Sequence, residues 1–194
     1  MTRNLANTKP PEFFKIGGKA YPVNFNYLIW IDILELLDEI DFDNIGEEEL
    51  GIIEEIEILA FGRTIEENIF DVLRAVTGFA AGYPQPRNKK AETPVSPRRL
   101  FDFKIDLNSI LIAIRDQSGI DLTRREEPFH WWLFLVEFSN LAGEHHIRNL
   151  MELRAYDGDD KDMKQARDAV ALPPKVSRQQ QKFNEEMDEI FYNC

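Results

Sequence analysis

The alternation of apolar and polar positions near the start of the chain predicts a β-hairpin. Residues 1–11 are polar and end in two prolines, which predicts a mobile lead-in. From Phe13 to Val23, two short β-prone runs flank Gly17-Gly18, a pair that supplies the positive φ angles of a tight turn. Pro22 cannot donate a ladder hydrogen bond, so its strand should lie at an edge or end there. A phosphate-binding glycine loop is less favoured, because the sequence lacks the Lys-Ser/Thr pair and the helix that such a loop needs.

Apolar residues at helical spacing follow the hairpin and continue through most of the chain. Asn24 is predicted to cap a helix over residues 25–39, and Gly62 is predicted to end a second helix that begins with the acids of residues 47–49. A capping-box pattern at residues 64–67 predicts the start of a third helix. Further helices are predicted over residues 107–118 with Asp106 as cap and Gly119 as stop, over residues 144–156, and over residues 161–171.

The densest aromatic and aliphatic run lies between Phe129 and Leu141 and predicts a helix at the centre of the fold. Trp131, Leu135 and Phe138 share one sector of this helix. Adjacent Trp131 and Trp132 point about 100° apart, so they should enter different contact layers. The predicted scaffold core consists of Trp30, Phe129, Trp131, Trp132, Leu135 and Phe138.

Residues 100–106 alternate apolar and polar side chains, as a half-buried strand does. The segment could join the hairpin as a third strand, which would stabilise an otherwise marginal two-stranded sheet. The predicted fold is therefore mainly α: a multi-helix bundle with a small N-terminal β-hairpin, which residues 100–105 could extend to three strands. We expect residues 1–194 to form one domain.

Two segments are predicted to be less firmly attached to this domain. Residues 84–99 contain four prolines and a run of basic residues without hydrophobic periodicity, which predicts a flexible loop. The C-terminal residues 177–192 are polar at first and then carry an amphipathic stripe, so this helix could either dock on the body or detach to bind a partner. The stripe, and hence the candidate partner-binding site, consists of Phe183, Met187, Ile190 and Phe191.

Charge and composition exclude several classes of protein. A formal net charge of −12 argues against sequence-independent binding to nucleic acid or to an anionic membrane. The N-terminus lacks the apolar core of a signal peptide, and no run of 18 apolar residues predicts a transmembrane helix. Cys194 is the only cysteine, so no intramolecular disulfide is expected, which fits a reducing cytoplasm.

No motif of an enzyme or metal site is found in the sequence. His145 and His146 are adjacent and would diverge on a helix, so they do not predict a metal site. The carboxylates of Glu54, Glu55 and Glu57 are interpreted as a solvated helical face, and the acids of residues 157–160 as a turn rather than a calcium loop. We therefore expect no enzymatic activity, cofactor or metal, although an unfamiliar carboxylate site would escape a search by motif.

Several blocks of the sequence resemble the bacteriophage gene-product-fifteen family. The most specific are the His-Trp-Trp block and the Gly-Ile-Asp-Leu turn before it, and the N-terminal GGKAYPVNFNYLIWI is also similar. The resemblance covers most of the chain except the 84–99 loop and the last twenty or so residues. The residues that carry it are Phe101-Asp102-Phe103, Asp106, Gly119 to Leu122, His130 to Trp132, and Arg154 to Tyr156.

The resemblance implies a function in the assembly of phage tails. Family members are encoded in the tail modules of long-tailed phages, close to the tape measure protein, which implies a non-enzymatic tail assembly chaperone in the host cytoplasm. Its expected partner is the tape measure protein, and the tail tube protein and another chaperone are further candidates. A soluble acidic helical protein could shield the apolar stripes of so long a helical chain. The alternative is a structural tail or head–tail connector protein that stays in the virion.

Overall fold

Seven α-helices and one two-stranded hairpin make up the residues that the computed structural model describes, namely 9–83, 98–124 and 126–175. The mainly α fold predicted from the sequence is confirmed. In chain order the elements are β1 (Phe13–Ile16), β2 (Lys19–Pro22), α1 (Tyr27–Glu39), α2 (Glu47–Phe61), α3 (Ile69–Ala80), α4 (Leu107–Ser118), α5 (Trp131–Ser139), α6 (His146–Ala155) and α7 (Lys161–Ala169).

The predicted N-terminal hairpin is confirmed. Strands β1 and β2 pair antiparallel, with Phe14 opposite Tyr21 in the register. Gly17 and Gly18 form the turn with φ angles of 56° and 84°, in the left-handed region that glycine adopts without strain. Strand β2 ends at Pro22, where the ladder loses its donor.

The carboxylate of Glu67 holds the hairpin against the loop that precedes α3. It accepts a hydrogen bond from the Tyr21 hydroxyl at 2.8 Å and forms an ion pair with the Lys19 ammonium at 2.8 Å. The hydrogen bond from Lys19, with a second one from Tyr21, lowers the pKa of Glu67. A Cβ atom on Gly17 would overlap this carboxylate, so the turn requires glycine for space as well as for conformation.

Helix α3 begins later than the sequence predicted. The capping-box interpretation of residues 64–67 is wrong, because Glu67 is used by the hairpin and cannot also complete a helix cap. Asn68 caps α3 instead, and its side chain accepts a hydrogen bond from the Phe70 N–H at 3.0 Å.

Helices α1 and α5 begin side by side in a short antiparallel bridge. The N–H of Tyr27, the first residue of α1, donates to the carbonyl of Phe129 at 3.0 Å. The N–H of Trp131, the first residue of α5, donates to the carbonyl of Phe25 at 2.7 Å. Because the first N–H groups of a helix have no partner within it, each lead-in satisfies a donor of the other helix.

This bridge shortens both helices relative to the sequence prediction. The residues at its centre, Asn26 and His130, are extended and act as N-caps. Asn26 rather than Asn24 caps α1, and its side chain accepts from the N–H two residues further on, at 3.2 Å. Helix α5 has nine residues instead of the predicted span from Phe129 to Leu141.

His130 fills its capping position as a neutral ring. Its Nδ1 atom accepts from the Trp132 N–H at 3.0 Å, so the ring proton lies on Nε2, which donates to the Pro11 carbonyl at 3.1 Å. The ring also stacks on Phe25 with 5.2 Å between the centroids. Burial lowers the pKa of His130, although the Pro11 carbonyl and the charge of Glu12 act in the opposite direction.

The C-terminal end of α3 is held by both tryptophans of α5. The Trp131 indole N–H donates to the Ala80 carbonyl at 3.1 Å, and the Trp132 indole N–H donates to the Phe79 carbonyl at 2.9 Å. The ring centroids of Phe79 and of Trp30 in α1 are 4.4 Å apart. The two tryptophans contact different rings, but their indole N–H groups converge on two neighbouring carbonyls in the last turn of α3. The Phe79 carbonyl also accepts from the backbone N–H of Gly82, at 2.9 Å.

The residues predicted to build the scaffold lie in or against this core. Their exposed fractions are 0% for Trp30 and Trp131, and 8% for Phe129, Trp132 and Phe138. Leu135 is half-buried and packs against the core. Helix α1 is as central as α5, since six of its residues are buried.

The third strand predicted for residues 100–105 is not formed. The sheet of the described residues has two strands, and this segment is a turn. The side chain of Asp102 accepts hydrogen bonds from the N–H groups of Lys104 and Ile105, which removes donors that a strand would need. Phe101 and Phe103 instead enter the aromatic core beside α5, where the Phe101 ring lies 4.9 Å from that of Phe138.

The remaining boundaries agree closely with the sequence. Gly62 and Gly119 end α2 and α4 with φ angles of 72° and 74°. The acidic run at residues 157–160 is a turn before α7, whose N-cap is Asp160. Most of the predicted 84–99 loop and the whole C-terminal helix of residues 177–192 lie outside the described residues.

Because His130 is neutral in the folded protein, we expect the free energy of unfolding to fall in acid. The unfolded chain takes up a proton on this ring near pH 6.5, whereas the folded chain does so only at lower pH. The contribution of His130 is therefore fully present above about pH 6.5 and is lost as the pH falls from there towards the folded pKa.

Urea unfolding of the wild type and of His130→Asn at pH 7.5, 6.5 and 5.5 would measure this effect. Asparagine keeps a capping oxygen but does not titrate, so other ionisable groups cancel in the comparison. The difference between the free energies of unfolding of the wild type and of His130→Asn should decrease by up to about 1.4 kcal/mol for each pH unit below 6.5. An advantage that did not change with pH would contradict the neutral cap.

Candidate interaction surface

Arg154 of α6 and Asp106 form a buried ion pair. The two guanidinium nitrogens of Arg154 lie 2.7 Å and 3.1 Å from the carboxylate oxygens of Asp106, and the side chains are 7% and 5% exposed. Arg154 also donates to the carbonyl of Leu100 at 3.0 Å and to that of Val170 at 2.8 Å. One side chain therefore joins the segment before α4, α6 and the end of α7.

Asp106 has a different role from the helix cap that was predicted. It occupies the N-cap position of α4, but its side chain makes no capping hydrogen bond. The carboxylate accepts instead from the N–H of Asp102 at 3.0 Å and from Arg154. Because a buried carboxylate needs a cation more than a second amide donor, the ion pair takes precedence over the cap.

A groove of about 450 Å³ lies beside this ion pair. Along the chain, the candidate stripe begins eight residues after Lys175, the last residue of the lining. The lining consists of Arg98, Arg99, Arg154, Arg167, Asp168 and residues 171–175.

The basic residues of the groove are paired with acids of the protein. Arg98 pairs with Asp157, Arg99 with Asp102, Arg154 with Asp106, Arg167 with Asp168 and Lys175 with Asp38. Helix α7 buries none of its own residues, and hydrogen bonds join it to α6: Arg154 donates to the carbonyl of Val170, and Arg167 donates to that of Tyr156. The groove is therefore lined by paired charges rather than by a concentrated positive charge.

Glu57 is a buried carboxylate, which corrects the prediction that it belongs to a solvated face. It is 7% exposed, and one of its oxygens accepts from the N–H of Ile65 at 2.9 Å. Burial raises the pKa of Glu57, and the hydrogen bond from Ile65 partly opposes that shift. Its role is to fix the loop between α2 and α3, while Glu54 and Glu55 are exposed as predicted.

The described residues provide no group of three metal-ligating side chains close enough to hold an ion. The buried polar residues of this part of the chain are Glu57, Asp106, His130 and Arg154, and each has the structural partners given above. No helix among the residues described is long and apolar enough to cross a membrane. The candidate functional residues of the described chain are therefore those on its surface.

Large apolar side chains are exposed on most elements of the described chain. Their exposed fractions range from 41% to 60%. None of these residues was predicted to contact a partner, although several are apolar residues outside the buried stripe of their helix. They are Phe13, Leu28, Phe42, Leu50, Ile58, Phe70, Ile105, Ile112 and Met163.

The residues predicted to bind a partner lie outside the residues that the structure describes. Phe183, Met187, Ile190 and Phe191 all lie beyond residue 175. Arg154 was named only as part of the block that carries the resemblance, and its structural role in a buried ion pair was missed. The signal that could have revealed it is an arginine in register with Ile147 and Met151 on the apolar side of α6.

Comparison with known proteins gives one match. The family model described as Bacteriophage Gp15 protein matches residues 8–172. No curated protein and no solved structure is significantly similar to the chain. The match includes the hairpin, all seven helices and the Arg154–Asp106 pair, and it ends before the C-terminal stripe.

Removing the Arg154 side chain should strongly destabilise the protein. Arg154→Met leaves the carboxylate of Asp106 buried without a cation, and the free energy of unfolding should fall by about 3–5 kcal/mol. Arg74→Met removes an exposed pair with Asp71 and should change it by less than about 1 kcal/mol. Urea unfolding measures both effects.

The double variant Arg154→Met/Asp106→Asn separates the buried charge from the loss of contacts. It should be more stable than Arg154→Met alone, because no unpaired charge remains buried. If the double variant were instead the less stable of the two, packing and hydrogen bonds rather than the ion pair would hold this junction.

Proposed function

The chain belongs to the bacteriophage Gp15 family, and from that premise we propose that it is a tail assembly chaperone that binds and solubilises the tape measure protein. Family membership indicates a phage structural or assembly protein. The proposed chaperone acts without enzymatic chemistry, in the host cytoplasm, before the tail tube encloses the tape measure. The tail tube protein and a second chaperone are further proposed partners.

The observation that carries the proposal is the combination of exposed apolar side chains with an acidic body. Nine large apolar residues of the described chain are more than two-fifths exposed. Such residues can contact the apolar stripes of a long helical partner, while a net charge of −12 keeps the complex in solution. Several separate contacts also suit a partner that is much longer than the chaperone.

The C-terminal stripe is the second proposed contact. Phe183, Met187, Ile190 and Phe191 follow the groove at a distance of a few residues along the chain. Their helical spacing matches the pattern by which an amphipathic helix presents one apolar side to a partner.

Co-expression with the adjacent tape measure gene tests the proposal directly. The tape measure protein should be found in the soluble fraction, in a complex with this protein, only when the two are made together. A tape measure protein whose solubility is indifferent to co-expression, and which cannot be co-purified, would refute the proposal. Mass spectrometry of purified virions then separates the two assembly roles, because a structural tail or connector protein would be present in them and a chaperone would not.

Replacing the C-terminal stripe should weaken binding without unfolding the protein. In the variant Phe183→Ser/Met187→Ser/Phe191→Ser we expect co-purification of the tape measure protein to be lost, while the free energy of unfolding changes by less than about 1 kcal/mol. The matched control replaces Gln179, Gln180 and Gln181 with serine and should bind normally. A destabilisation of about 3 kcal/mol or more would instead identify the stripe as part of the core.

A further inference from the structure

Helix α2 packs on one side only. Ile53 and Ile56, which face the core, are 2% and 0% exposed. Leu50 and Ile58, by contrast, are 48% and 51% exposed. These two residues are joined by Glu54 at intervals of four positions, so they form one line along the outside of the helix.

Gly51 lies next to this line, inside the helix, where the fold has no need of a glycine. Its φ angle is not in the left-handed region, and a Cβ atom there would meet no other atom within 4 Å. Glycine is the weakest helix former after proline, so Gly51 destabilises α2 without relieving any crowding in the isolated protein. Its effect on the surface is a shallow depression beside Leu50, which allows another chain to approach closely.

Helix α2 lies in the most acidic segment of the chain. Residues 20–62 contain 12 acidic and no basic side chains, and the remaining residues carry 23 of each sign. Lysines from elsewhere reach carboxylates of α1: Lys104 pairs with Asp32 and Glu35, and Lys175 pairs with Asp38. The outer side of α2 carries Glu47, Glu54 and Glu55 around its exposed apolar residues.

Charge decides which partner this surface fits. A second copy docked through the same side would bring two strongly acidic segments together, which opposes self-association. An amphipathic helix with an apolar stripe between lysine or arginine residues would match both the apolar line and the acids. We propose that the outer side of α2, formed by Leu50, Gly51, Glu54 and Ile58, is a docking site for a basic amphipathic helix of a partner protein.

This proposal rests on the proposed function only for the identity of the protein that supplies the helix. If the partner is the tape measure protein, the segment bound at α2 is one with basic residues flanking an apolar stripe. Binding is strongest at low salt, because part of the attraction is electrostatic, and it retains a salt-independent part from the apolar contact.

A synthetic peptide of about 18 residues, made of leucine and lysine with leucine at helical spacing, serves as the probe. Fluorescence anisotropy with the full-length protein measures its affinity against a scrambled peptide of the same composition. Leu50→Ser/Ile58→Ser should weaken binding of the patterned peptide by about tenfold or more, whereas Ile112→Ser, an equally exposed position on α4, should leave it within about twofold. Equal binding of the scrambled peptide, or equal binding by the α2 variant, overturns the proposal.

The variant Gly51→Leu distinguishes a role of Gly51 in binding from a purely structural role. A side chain there should raise the melting temperature, since leucine favours the helix and meets no neighbour, yet weaken binding of the patterned peptide by filling the depression. A variant that binds as well as the wild type would contradict the assigned role of Gly51 and of the site.

Co-purification with the tape measure protein separates this proposal from the proposed function. Loss of the complex in the α2 variant, with retention in Ile112→Ser, supports both. A complex that survives in the α2 variant is compatible with the chaperone function and refutes docking of the tape measure protein at α2. Selective binding of the patterned peptide by a protein that does not capture the tape measure supports the α2 site and refutes the chaperone function.

Discussion

The shared start of α1 and α5 is the constraint on which the rest of the structure depends. Two backbone hydrogen bonds between the lead-ins align helices that are far apart in sequence and bury their first turns together. This alignment places Tyr27 against Phe134, with ring centroids 4.7 Å apart, and directs the indoles of α5 to the end of α3. The neutral ring of His130 completes the junction by capping α5 and binding the carbonyl of Pro11, so the N-terminal segment, the hairpin and three helices meet at one point.

The opposite end of the chain is held by a different kind of interaction. Helix α7 buries no residue, and hydrogen bonds join it to α6, from Arg154 to the carbonyl of Val170 and from Arg167 to the carbonyl of Tyr156. Directional polar contacts fix geometry but add little net free energy unless they are buried, and the Arg154–Asp106 pair is the buried one. The same guanidinium thus anchors α6 to the segment before α4 and positions the end of α7.

The distribution of charge connects this architecture with its proposed role. All of the net negative charge can be assigned to residues 20–62, while the groove at the C-terminal end is internally neutralised. A chaperone of a long helical protein would benefit from both properties. An acidic surface with exposed Leu50 and Ile58 can hold a basic amphipathic segment, and the apolar stripe predicted for residues 183–191 can supply further contacts.

The sequence by itself determined the helical class, the hairpin at Gly17-Gly18, the helix stops at Gly62 and Gly119, and the family, because these follow from local periodicity, turn chemistry and recognisable blocks. Only the tertiary structure decided which polar side chains have a role other than the one that the local sequence predicts. Asp106 binds Arg154 instead of capping α4, Glu67 binds the hairpin instead of starting α3, and Asp102 makes a turn where alternation predicted a strand. The choices of Asp106 and Glu67 depend on partners distant in sequence, and a local pattern cannot weigh a helix cap against an ion pair that forms only on folding. The turn at Asp102 is made by local hydrogen bonds, but Phe101 and Phe103 of the same segment pack against α5, which a third strand would not require.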